Sequence, residues 1–143
     1  MSGRLAIFVA LAVAVGATAG LTQQASGAAA PLDYNFFKTQ VQPIFMKKRT
    51  GHARCVQCHT EANNFLRLER LAPGQTQWTE EQSRKQFESI SKLVSPANRA
   101  ESRLLIHPLA PEAGGDLFHS GGRQFDSKND PDYKILMQWA GVQ

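Results

Sequence analysis

Cys55-Val56-Gln57-Cys58-His59 puts two thiols three positions apart, with an imidazole directly after the second. In one helical turn, thiols at that spacing reach the two vinyl groups along one edge of a porphyrin and form thioethers. The next residue is then directed under the ring, where its imidazole binds iron. This is the attachment sequence of c-type haem. It assigns Cys55, Cys58 and His59 to one covalently attached haem c, with His59 as an iron ligand. Two other chemistries use paired cysteines. A thioredoxin-like redox pair needs a strand–helix–strand context, which the flanking sequence lacks. A zinc module would need two of His52, His59, His107 and His119, and these lack the tight second-pair spacing such modules use.

The elements that must hold this motif are helical. From Asp33, a suitable N-cap, Phe37, Val41, Ile44 and Phe45 recur at helical spacing, with Pro43 predicting a kink or two short helices. Lys47, Lys48 and Arg49 end that element. Residues 60–78 read as a loop anchored by Leu66, Leu68 and Leu71. Thr79 to Gln82 is a capping box opening a helix that carries Phe87, Ile90, Leu93 and Val94 before Ser95-Pro96 stops it. A short helix follows over 98–106, then a loop of about twenty residues over 107–129, of a length that is usually functional or disordered. Asp130-Pro131 caps a last helix with Tyr133, Leu136, Met137 and Ala140 facing inward. No strand is expected, so the fold class is all-α.

The chain has 143 residues, a formal charge of +4 and two cysteines. These values suit one small domain, exclude a disulfide framework and do not resemble those of a nucleic-acid binder. Arg4 followed by the 11 apolar residues Leu5 to Val15 reads as a secretory signal peptide. Cleavage is expected after Ala19 or Ala30, making 1–30 the leader and 31–143 the domain, with export to the periplasm. Membrane association follows only if the leader is retained.

With these motifs in place, the chain resembles a monohaem class I-type cytochrome c, and more narrowly the bacterial cytochrome c domains of planctomycete-type proteins. The resemblance rests on Phe37, Val41, Pro43, Ile44 and Phe45 before the haem motif. After it come Ser102, Leu104, Leu105, Pro108, Leu109, Gly114, Gly115, His119, Gly121, Gly122, Phe125, Asp130, Pro131, Tyr133 and Trp139. It spans roughly Asp33 to Ala140 and implies a small cytochrome c-like domain, with helices wrapped around the haem and the N- and C-terminal helices packed together. It also implies that the second axial ligand comes from the loop before the last helix.

His119 lies in that loop, beside Gly121 and Gly122, which let the backbone approach a porphyrin face. It is the favoured second metal ligand. Met137, inside a helical pattern, and His107, before Pro108, are the alternatives, along with a vacant site; Met46 and His52 sit too near the attachment turn. Phe118, Phe125, Leu104 and Leu105 are expected pocket walls, and Arg54, Arg123 and Trp78 candidate propionate partners. Lys47, Lys48, Arg49 and Arg54 form a basic cluster, read either as helix-end charge or as a docking face for an acidic redox partner. No acid/base pair, activated nucleophile or phosphate loop is present, so the reading is an electron carrier and not an enzyme. A haem-based ligand sensor and a haem subunit of a larger oxidoreductase complex are the alternatives.

Overall fold

Asp33 starts the helical part of the chain. Its side chain accepts a hydrogen bond from the Phe36 amide at 2.8 Å, satisfying a donor that the first turn leaves unpaired. The computed structural model describes residues 30–61 and 63–143. Residues 1–29 of the expected leader, with the cleavage point after Ala19, therefore lie outside the described residues, whereas Ala30 and Pro31 on either side of the second cleavage point are described.

The described elements are α1 (Tyr34–Phe36), a π turn (Phe37–Val41), α2 (Gln42–Met46), α3 (Cys55–His59), α4 (Glu80–Ser91), α5 (Arg103–Ile106) and α6 (Pro131–Ala140). Two 3-10 turns, Arg99–Glu101 and Pro111–Ala113, lie between them. Among the described residues the chain is helical, with no strand beyond one isolated bridge between Leu109 and Phe125. No helix among them is long and apolar enough to cross a membrane.

As Pro43 predicts, the α-helical run is divided into two short helices, α1 and α2, with the π turn between them and Pro43 in the first turn of α2. Proline removes one amide donor and crowds the carbonyl four residues back. The chain accommodates this by widening just before it, the Gln42 amide donating to the Phe37 carbonyl five residues back. The face so formed buries Phe37, Val41, Ile44 and Phe45.

Phe37 joins this element to the last helix. Its ring lies 5.1 Å from Trp139 of α6 and 5.5 Å from Phe87 of α4, between ring centres. The Trp139 indole N–H donates to the Asp33 carbonyl at 2.8 Å, so the tryptophan buries its apolar body without an unpaired donor. On α6, Tyr133, Leu136 and Ala140 are buried as expected, but Met137 is half-buried and Trp139 takes the inner position.

Helix α4 has the expected cap, the Gln82 amide donating to Thr79 Oγ1 at 3.2 Å and the Thr79 amide to Gln82 Oε1 at 3.0 Å. It ends at Ser91, before Leu93 and Val94. The short helix expected over 98–106 is split at Ser102 into a 3-10 turn and α5. The buried Ser102 hydroxyl accepts from the Ser95 amide at 2.9 Å, pulling the two segments together across Pro96.

The loop after α5 is closed by hydrogen bonds. Ala110 donates to the Phe125 carbonyl at 2.8 Å, and the Gln124 and Phe125 amides donate to Pro108 at 2.9 and 3.1 Å. Gly115 sits where an added Cβ would lie 2.0 Å from the Leu109 carbonyl oxygen, so only glycine lets the loop fold back this closely.

Candidate functional site

Helix α3 contains the whole Cys-x-x-Cys-His run as one helical turn. Gln57 stabilises its start, its side-chain oxygen accepting from the Arg54 amide at 2.9 Å. Cys55 is half-buried and Cys58 exposed, both as free thiols. Burial pushes the Cys55 thiol up to about 11. A thiol–disulfide redox site needs the opposite, a thiol stabilised as thiolate near neutral pH.

His59 Nδ1 lies 2.8 Å from the Leu66 carbonyl oxygen and 3.0 Å from Asn64 Oδ1. Both are acceptors, so Nδ1 carries the proton and Nε2 keeps its lone pair for a metal. The backbone closes the same segment, Leu68 donating to the His59 carbonyl at 3.1 Å.

The His119 imidazole lies on the same cleft. Its Nδ1–H donates to the Gly122 carbonyl at 2.6 Å, which again leaves Nε2 as the acceptor nitrogen. Gly122 adopts φ +79°, the left-handed conformation that turns its carbonyl back toward His119. The two ring centres are 6.1 Å apart. Two imidazoles bound on opposite sides of one metal ion, with bonds of about 2 Å, separate their centres by roughly 6 Å. Burial, and behind it the neighbouring His107 and His59, lower the His119 pKa, which favours the neutral imidazole, the form able to bind a metal.

Between these elements lies a cleft of about 1040 Å³, counting the space at its open mouth. Ile44, Phe45, Leu66, Leu93, Leu104, Phe125 and Leu136 supply its apolar walls, and Cys55, Cys58, His59, His107 and His119 all line it. Among the described residues, no three His, Cys, Asp or Glu side chains are grouped as a metal cage requires.

Several expected wall and anchor residues lie elsewhere. Phe118 is 75% exposed and Leu105 is buried in the core, and neither lines the cleft. Met137 and Met46 pack half-buried against the core, away from the cleft, as the helical register of each dictates. Trp78 is engaged by the Glu69 carbonyl at 2.7 Å, and Arg123 is exposed; neither reaches the cleft. His52 lies beside a separate polar hollow with Arg49 and Asp130.

Arg54 does line the cleft, and it is joined by Arg103, which sequence reasoning missed. Arg103 stacks over the exposed Phe65 ring at 4.4 Å. A cation at a short helix's start carries no periodic signal, and the pairing crosses nearly forty positions of sequence. The basic cluster at 47–54 is largely used internally. Arg49 forms a two-pronged pair with Asp130 at 2.8 and 2.9 Å and a third bond to Asp132 at 2.6 Å. Lys47 holds Asp132 at 2.8 Å, leaving Lys48 and Arg54 as the cations of that group outside the network.

Compared with family models, curated proteins and solved structures, the chain matches none.

Proposed function

We propose that this chain is an exported monohaem c-type cytochrome that carries single electrons between redox partner proteins. Its single haem c is attached through Cys55 and Cys58 and ligated by His59 and His119. The observation that carries this reading is the pairing of His59 and His119 on one apolar cleft, ring centres 6.1 Å apart, beside both cysteines. The residues present fit the group. Two imidazoles each spend Nδ1 on a backbone carbonyl and keep Nε2, two thiols stand on one turn, and apolar walls match a porphyrin's faces. Arg54 and Arg103 add two cations for its two acid groups, with no carboxylate among the described residues that line the cleft.

When bound, the iron supplies the one-electron Fe(III)/Fe(II) couple. The chain's own residues set the conditions for it. Leu66 and Asn64 fix the His59 tautomer and make its imidazole a stronger donor. Gly122 does the same for His119. Ile44, Phe45, Leu104 and Phe125 exclude water, and two imidazole ligands favour a lower potential than an imidazole–thioether pair. The periplasmic location rests on the leader-like sequence at 1–30.

The test is a pyridine haemochrome spectrum of protein produced by export in a host that attaches haem c. A spectrum of the thioether-linked type, lost in the double variant Cys55→Ala/Cys58→Ala, is expected. A spectrum with intact vinyl groups, or no haem, refutes the proposal. Ferrous protein that binds carbon monoxide rapidly favours the ligand-sensing alternative.

A further inference from the structure

We infer that His107, held by Asp116, is a positioning residue for His119, a wall that fixes the orientation of the distal imidazole. This rests on the reading of His119 as the second ligand. Phe118, Ser120, Gly121 and Gly122, which flank His119, are all exposed. Among the described residues its ring makes one hydrogen bond, to Gly122 within its own turn, so that bond does not tie the ring to another element. A link to a separate element comes from His107, whose ring stands edge-on to His119 at 4.9 Å between centres and 71° between planes.

His107 is itself anchored. Its amide donates to Arg103 at 3.2 Å as the cap of α5, and its Nδ1–H donates to Asp116 Oδ2 at 2.9 Å. Asp116 in turn is pinned to the same helix, its amide donating to the Ile106 carbonyl at 2.9 Å. A rigid path therefore runs from α5 through the His107–Asp116 pair to His119. A metal ligand on an exposed turn needs such support, because outer partners orient the inner ones.

The test uses haem-loaded protein with His107→Ala, His107→Phe and Asp116→Ala, compared at equal haem content. Electron paramagnetic resonance of the ferric state reads the relative orientation of the two imidazoles. The rate of carbon monoxide binding to the ferrous state reads how easily His119 leaves. His107→Ala and Asp116→Ala are expected to broaden or split the low-spin signal and to speed carbon monoxide binding at least tenfold. His107→Phe keeps a flat ring but loses the bond to Asp116, so it is expected to match Asp116→Ala and not wild type.

If His107→Ala does not accumulate, the more exposed Asp116 carries the test alone. A low-spin signal and binding rate unchanged in Asp116→Ala overturn the inference, as does a His107→Phe variant that behaves like wild type. The parent reading is tested separately by His119→Ala. If that variant stays six-coordinate and low-spin, His119 is not the ligand, whatever the His107 variants do.

Discussion

Replacing Arg49 with methionine removes the guanidinium that ties the segment after α2 to the start of α6, while keeping much of the side chain's bulk. Three charge-assisted hydrogen bonds of 2.6 to 2.9 Å disappear, and two carboxylates that are 25% and 11% exposed lose their guanidinium. Removing one partner of a fully buried pair costs about 3–5 kcal/mol. Asp132 retains Lys47 at 2.8 Å and Asp130 is partly solvated, so the electrostatic cost here falls to about 2 kcal/mol. The guanidinium also stacks 4.3 Å above Phe125, worth about 0.5–1 kcal/mol. Arg49→Met is therefore expected to lose about 3 kcal/mol, or roughly 10 °C in Tm.

Urea and thermal unfolding of the haem-loaded protein, followed by far-ultraviolet circular dichroism, measure this loss. Lys85→Met, which breaks an exposed pair with Glu81, is the control and should leave the midpoint unchanged. The pH dependence has a definite sign. The Arg49 guanidinium holds the Asp130 carboxyl below its ordinary range. The pair's contribution is present in full above that range and is lost as pH falls through the lowered value. The gap between wild type and Arg49→Met should be constant at neutral pH and shrink below about pH 4. A loss under about 1 kcal/mol at neutral pH, or a gap that persists undiminished into strong acid, refutes the reasoning.

Phe37→Ala empties the fully buried site between Trp139 and Phe87 and is expected to cost about 3–5 kcal/mol in urea unfolding; a loss below about 1 kcal/mol contradicts the packing account. In haem-free protein, iodoacetamide at pH 8 should label the exposed Cys58 well before Cys55, whose thiol ionises near 11, and haem-loaded protein should take no label. Equal labelling of both thiols at pH 8 counts against the burial of Cys55. Asn64→Ala removes one of two acceptors from His59 Nδ1–H and makes the imidazole a weaker donor, raising the potential by up to about 60 mV, one tenfold change for a one-electron couple. Redox titration reads this, and a fall in potential contradicts the assigned hydrogen bond.

Local signals were the legible part of this fold. Asp33, Thr79 and Asp130 each cap the helix that the sequence assigns to them, because capping depends on neighbours three residues away. The Cys55–His59 turn and the inward face of Phe37, Val41, Ile44 and Phe45 are equally local. The π turn was not legible, since the sequence shows the proline but not how the preceding turn widens to accommodate it. Arg103, Asn64 and Asp116 were missed for a different reason. Each acts across a bend of the chain, and a lone polar residue gives no spacing by which to recognise it. The sequence assigns Arg49 to helix-end charge or a docking face and does not show its ion pairs, because its partners, Asp130 and Asp132, lie some eighty positions away.

The central claim, a haem held between His59 and His119, is tested most directly by the near-infrared magnetic circular dichroism of the oxidised protein. The charge-transfer band there reports the axial ligand pair of low-spin ferric haem. The account predicts a single band at the bis-imidazole position, lost in His119→Ala. A thioether-to-iron band or a high-spin five-coordinate spectrum in the wild-type protein would contradict it.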